Sequence, residues 1–137
     1  MTVDGIQTVV AVFLKEDRLL MEKRSQERDA YAGFLMCPSG RIETGETRRQ
    51  ALIREMKEEL GIQVIDAAFL FNMGDDDPHS GWRFSHNFML VKSYQGQIKR
   101  SYEAKRLEWL TYAQVEKERT APIVHKLVVK LHDKGLL

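Results

Sequence analysis

The chain has 137 residues, 43% of them hydrophobic and 30% charged, with a formal net charge of +1. That size suits one compact domain over residues 1–137, and the near-neutral balance gives no field strong enough for a nucleic-acid groove. The lone Cys37 cannot form an internal disulfide, no apolar run reaches the roughly 20 residues of a bilayer span, and residues 1–7 lack the basic and apolar regions of a secretory leader, so a cytoplasmic protein is expected.

The first predicted elements are strands. Thr8 to Leu14 is apolar and β-branched, Lys15 to Arg18 reads as a turn, and Leu19 to Arg24 returns, which together predict an opening hairpin. Ser25 to Ala32 is polar enough for a loop, Phe34 to Cys37 for a short strand, and Pro38-Ser39-Gly40 for a turn that closes it. Thr47 with Gln50 three residues on forms a capping-box pattern, and Gly61 ends the helix that begins there. Val64 to Phe71 and Trp82 to Val91 read as strands around a polar loop at Asn72 to Gly81, and Leu107 to Leu110 as a short extended piece. Thr111 with Gln114 caps a brief helix. Val124, Leu127, Val128 and Leu131 recur at the spacing of an amphipathic helix that packs on a sheet. The order β-β-β-α-β-β-β-α predicts an α/β/α sandwich, a mixed sheet held between helices.

The central helix carries the chemistry. Successive side chains on it advance by about 100 degrees, so Glu55, Glu58 and Glu59 share one edge while Leu52, Ile53, Met56 and Leu60 turn to the sheet and Lys57 to solvent. Like charges crowded together are destabilising, and carboxylates on a rigid helix suit a hard divalent cation that bridges protein to phosphate oxygens. The competing reading of such a cluster is a solvated acidic face paired with Arg48, Arg49 and Arg54.

The residues around the cluster decide between them. Gly40, then five residues, Glu46, then seven residues, and Arg54-Glu55-Met56-Lys57-Glu58-Glu59-Leu60-Gly61-Ile62 fill every fixed position of the signature of the Nudix hydrolases. The chain resembles a small MutT-like member of that family, and the order of the flanking elements is similar to the family's α/β/α fold. The resemblance implies hydrolysis of a phosphoanhydride bond in a nucleoside diphosphate linked to another moiety X, by water attacking phosphorus with Mg²⁺, or Mn²⁺ in its place. Carried over by position, Glu58 and Glu59 would ligate metal, the Gly40 carbonyl would add a ligand, and Glu55 would ligate or deprotonate the water. Arg54 would hold the glutamates in place by charge-assisted hydrogen bonds, and Glu46 would buttress the junction of loop and helix.

The resemblance also points outside the box. Glu103, placed before Glu108 and Trp109, resembles an additional metal-binding or water-activating glutamate. Arg24 resembles a phosphate-contacting arginine, with Lys23 and Arg28 as alternatives, and Phe34 and Ser39 join it as expected substrate contacts. Phe34, Trp82, Phe84 and Phe88 could stack on a base, although aromatics beside strands are more often core. Pro38-Ser39-Gly40 departs from the Pro-Gly-Gly common in the branch that cleanses nucleotide pools, and Thr120-Ala121-Pro122 stands where that branch has a base-reading asparagine, which weakens an assignment to oxidised guanine nucleotides. Pro78 lies near a proline of ADP-ribose-cleaving members, but loop chemistry explains it equally. His79, His86, His125 and His132 show no paired ligand spacing and are expected to be neutral structural or surface residues. The expected partner is a small nucleotide, with no nucleic acid and no membrane, acted on by a monomer or homodimer. A nucleotide-sugar or ADP-ribose pyrophosphatase and a non-catalytic nucleotide-sensing module are the alternatives.

Overall fold

The computed structural model describes residues 3–27, 30–99 and 104–137. Its elements in chain order are β1 (Ile6–Val12), β2 (Leu14–Lys15), β3 (Arg18–Arg24), β4 (Leu35–Met36), β5 (Ser39–Arg41), α1 (Arg48–Leu60), β6 (Gln63–Asp76), β7 (Arg83–Gln95), β8 (Ala104–Thr111), α2 (Tyr112–Glu116) and α3 (Pro122–Asp133). The expected mixed sheet is present, in the order β5-β1-β7-β6 with β1 parallel to β7 and antiparallel to β5. A second four-stranded sheet joins β2, β3 and β4, with β8 also pairing β3.

The opening hairpin is shorter than the sequence suggests. Only Leu14 and Lys15 pair with Leu19 and Arg18, around a two-residue turn in which Glu16 and Asp17 both adopt positive φ, the conformation whose twist suits a tight hairpin. β1 itself runs the other way, into the first sheet, because it is buried on both faces. Val10 and Val12 pack toward α3, whereas Val9 and Ala11 pack toward α1. A strand covered on both sides reads as a continuous apolar run, and such a run does not announce its neighbour.

Two further boundaries differ. Pro38-Ser39-Gly40 is not a turn: Ser39, Gly40 and Arg41 form β5 and pair with Val10, Val9 and Thr8. The polar stretch after Phe71 continues β6 to Asp76, since Asn72 spends its side chain on its neighbours, donating to Ser85 Oγ at 3.0 Å and to Asn87 Oδ1 at 3.0 Å. Polar residues that satisfy one another across strands can stay in a sheet. The loop proper is Asp77 to Trp82, where the Asp77 carboxylate accepts from Ser80 N at 2.9 Å, so Pro78 sits in ordinary turn chemistry.

The helices form as their caps dictate. Gln50 N donates to Thr47 Oγ1 at 3.1 Å, Thr47 N donates to Gln50 Oε1 at 2.9 Å, and Gly61 closes α1 at φ 71°. A left-handed C-cap favours glycine because a Cβ is strained there. Ala51, Leu52, Met56 and Leu60 bury α1 on one face of the mixed sheet, and Ile123, Val124, Leu127, Val128 and Leu131 bury α3 on the other. Among the described residues no helix is long and apolar enough to cross a membrane.

Candidate active site

The acidic edge of α1 is organised by one guanidinium. Arg54 Nε donates to Glu46 Oε2 at 2.8 Å, its Nη2 to Glu46 Oε1 at 2.8 Å and to the Arg41 carbonyl at 3.0 Å, and its Nη1 to Glu55 Oε1 at 2.7 Å. The same Nη1 lies 3.5 Å from Glu58 Oε2 and 3.7 Å from Glu43 Oε1. Arg54 thus ties the end of β5, the loop before α1 and the helix edge together, and the bidentate fork to Glu46 fixes the direction of the guanidinium. Glu46 also accepts from Glu43 N at 2.8 Å. The Arg54 hydrogen bonds, reinforced by that backbone donor, hold the Glu46 carboxyl down to about 2. It is a permanently charged strut.

Glu55 is different in kind. Its carboxyl lies against the backbone of Gly40, close enough that a Cβ there would collide with the carboxyl carbon and Oε2. Burial pushes its pKa above the ordinary carboxylate value, against the pull of Arg54. Glu55 is thus half-buried, held between the Gly40 backbone and the Arg54 guanidinium. Glu58 keeps 63% of its side chain exposed, so it can swing toward a ligand at little cost. Glu59 is half-buried and Lys57 faces solvent.

These residues fit a divalent metal. Gly40 leaves room for the Glu55 carboxyl where a Cβ would collide with it, and the donors offered by Glu55, Glu58, Glu59 and the Gly40 carbonyl are all oxygens. Among the described residues no three acidic, histidine or cysteine side chains converge as a preformed cage; Mg²⁺ does not require one, since it keeps several waters and uses one or two carboxylates together with substrate oxygens.

The other predicted contacts take different places. Arg24 is buried, its Nη1 3.6 Å from the buried Glu22 and its Nε donating to the Ala30 carbonyl at 2.9 Å. Phe34 is half-buried beneath Arg119, whose guanidinium carbon lies 4.6 Å from the ring centre. Ser39 sits in β5 one residue before Gly40, opposite Val10. Phe84 and Phe88 are core, whereas Trp82 is exposed with Arg41 stacked on it at 4.9 Å. Glu103 and Arg28 lie outside the described residues.

Two features escaped the sequence. A cavity of about 400 Å³ is lined by Leu20, Ile98, Arg106, Leu107 and Trp109, next to the apolar cluster under α1. A buried polar chain also crosses the opposite face: Thr8 Oγ1 lies 2.7 Å from His86 Nδ1, and the Tyr31 hydroxyl 2.9 Å from both His86 Nε2 and Asp75 Oδ2. Burial lowers His86 to about 4 and raises both Tyr31 and Asp75, so the histidine is neutral, as expected of it. Its four members are distant in sequence and no periodicity links them. Tyr31 at a positive φ of 53°, unusual for a bulky residue, is visible only in three dimensions.

A mixed sheet covered by two helices, with an arginine-bound acidic edge set over a glycine of a neighbouring strand, defines a domain of the α/β class. The NUDIX domain model matches residues 5–131, and the chain belongs to that family. A CTP pyrophosphohydrolase of Escherichia coli is 38% identical over 59 residues, which cover 43% of this chain and 43% of that enzyme. An ADP-ribose pyrophosphatase of Methanocaldococcus jannaschii is 31% identical over 103 residues, 74% of this chain and 59% of that protein. The chain therefore spans less than two thirds of either relative. In fold it matches a MutT NUDIX hydrolase from Burkholderia pseudomallei with a TM-score of 0.82 at 21% identity, over 94% of this chain and 99% of that one.

Proposed function

We propose that the protein is a Mg²⁺-dependent pyrophosphohydrolase, with Mn²⁺ able to substitute, that cleaves a phosphoanhydride bond in a small nucleotide of the nucleoside diphosphate-X class. The observation that carries this reading is the close approach of the Glu55 carboxyl to Gly40 beneath the Arg54 fork. It sets the half-buried carboxylate of Glu55 against the Gly40 backbone, beside the exposed one of Glu58 on the same edge of α1. A bound divalent cation would supply charge neutralisation at the pyrophosphate oxygens and a more acidic water.

The chain's own residues do the rest. Glu58, Glu59 and the Gly40 carbonyl are the proposed metal ligands. Glu55 either joins them or takes the proton of the attacking water, for which its raised pKa suits it better than an ordinary surface carboxylate. Arg54 and Glu46 position these groups without taking part in bond making, because their charges are already spent on one another. The cavity lined by Leu20, Ile98, Arg106, Leu107 and Trp109 is the proposed place for part of the substrate beyond the scissile bond. Arg24 is placed by this reading beside the buried Glu22 as a support of β3, and Phe34 and Ser39 as second-rank substrate contacts.

The test is a panel of nucleoside triphosphates, ADP-ribose, nucleotide sugars and dinucleoside polyphosphates, incubated with Mg²⁺ in ¹⁸O-labelled water. Products should appear only with metal present, with one ¹⁸O on a phosphoryl product. Metal-independent turnover would sink the mechanism, and binding of a nucleotide without products would make the domain a sensor.

A further inference from the structure

The first turn of α1 is chemically odd. A helix N-terminus carries a partial positive charge and favours acids, yet α1 opens with Arg48 and Arg49 and has no acidic residue in its first turn. Both arginines are used away from the helix end. Arg49 Nη2 donates to the Ile65 carbonyl at 2.7 Å, while Arg48 lies over the Phe69 ring at 4.1 Å and its Nε donates to Asn87 Oδ1 at 3.0 Å.

Asn87 is a buried hub, 1% exposed. Its Oδ1 accepts from Arg48 and from Asn72 Nδ2, and its Nδ2 donates to Gln7 Oε1 at 3.1 Å and to the Thr8 carbonyl at 2.9 Å. Every hydrogen-bonding position of the amide is filled, so the group is rigidly held in the middle of β7. In the sheet, Val9 is the register partner of both Gly40 and Asn87. Gly40, Val9 and Asn87 therefore form one row beneath α1. Arg48 and Glu55 are seven residues apart, about 20 degrees short of two full turns, so they project from the same side of the helix. The helix meets that row with two polar contacts, Glu55 on Gly40 and Arg48 on Asn87. The apolar contacts of Leu52 and Met56 between them are non-directional and tolerate a small rotation or slide. A hydrogen bond to a fully engaged amide does not.

We infer that Arg48 and Asn87 form a positioning clamp that sets the rotation of α1 on the sheet, and with it the placement of Glu55 and Glu58 for the metal. The clamp rests on the metal-dependent reading above, and the experiment separates the two. Calorimetric titration of Mn²⁺ into the substrate-free protein is compared for wild type, Arg48→Met and Arg48→Lys, alongside thermal melts. The methionine keeps the apolar stem over Phe69, loses the donor and removes a cation from the helix N-terminus, so the melting temperature should stay level or rise. Mn²⁺ affinity should fall by about fivefold, somewhat below the loss typical when a direct support of a metal ligand is removed, and Arg48→Lys should recover most of it. Wild-type affinity in the methionine variant, or a lower melting temperature without loss of affinity, would overturn the clamp while leaving the metal reading intact. Absence of Mn²⁺ binding to the wild type would overturn both.

Discussion

Two polar clusters sit on opposite faces of the same mixed sheet and are built on opposite principles. The Arg54 cluster gathers charge at the surface, where water screens the repulsion among Glu43, Glu46, Glu55 and Glu58 and a cation can enter. The Thr8–His86–Tyr31–Asp75 chain gathers polar groups in the interior, where charge is costly, so His86 is kept neutral and both its ring nitrogens are spent on neighbouring hydroxyls. One cluster is poised to change partners; the other is closed. Mutations should therefore separate the two, with losses of activity on the first face and losses of stability on the second.

The largest effect is expected from Glu58→Gln. Among the described residues its side chain makes only a long contact with Arg54, so the melting temperature should be unchanged or slightly higher as like charge is relieved, while the rate falls by about 100-fold or more if the proposed metal ligand is lost. Comparable turnover in steady-state assays would remove Glu58 from the site. Gly40→Ala sharpens the comparison from the backbone side. The new Cβ must displace the Glu55 carboxyl, which should cost activity heavily and stability by about 1–3 kcal/mol as overpacking does, measured by urea unfolding and by the metal concentration at half-maximal rate.

On the closed face, Tyr31→Phe removes the hydroxyl shared by His86 and Asp75. A buried acceptor left without its partner costs about 1–3 kcal/mol, and the metal dependence of the rate should not move. A shift in the metal requirement would mean that the two faces are coupled. The last test is a pH dependence. Because burial depresses His86 to about 4 from 6.5, the unfolded chain binds the proton more readily than the folded one between these values. The stabilisation it reports is thus full above 6.5 and is lost as pH falls toward 4. Melts of wild type and His86→Gln from pH 7 to pH 4 should diverge least at the acid end, and parallel curves would show that the histidine is not held neutral.

The two faces also differ in how far they could be read from sequence. The α1 site is local: cap, charged edge, apolar stripe and glycine stop all follow from side-chain spacing over a few turns, so Thr47, Arg54, Glu55, Glu58 and Gly61 occupy the positions their order implies. Even there, spacing could not show that Glu46 rather than Glu58 takes the Arg54 fork, because that choice depends on the path of the loop between β5 and α1. The second face joins residues from β1, β6, β7 and the segment before β4. Nothing in the sequence neighbourhood of Thr8 or His86 marks them as partners. The same limit applies to Asn87, an unremarked polar residue in a strand that becomes the hub under Arg48.

The sequence by itself determined the helix that bears the acids, its two ends and the family to which the chain belongs, because helical geometry turns a fixed spacing into a fixed face. Tertiary structure alone decided which strand lies beside which. It drew β1 away from β3 into the mixed sheet, made Ser39-Gly40-Arg41 a strand beneath Glu55, and extended β6 through a polar stretch. The physical reason is that strand pairing joins residues far apart in the chain through backbone groups common to every residue, so the side-chain order carries little record of it.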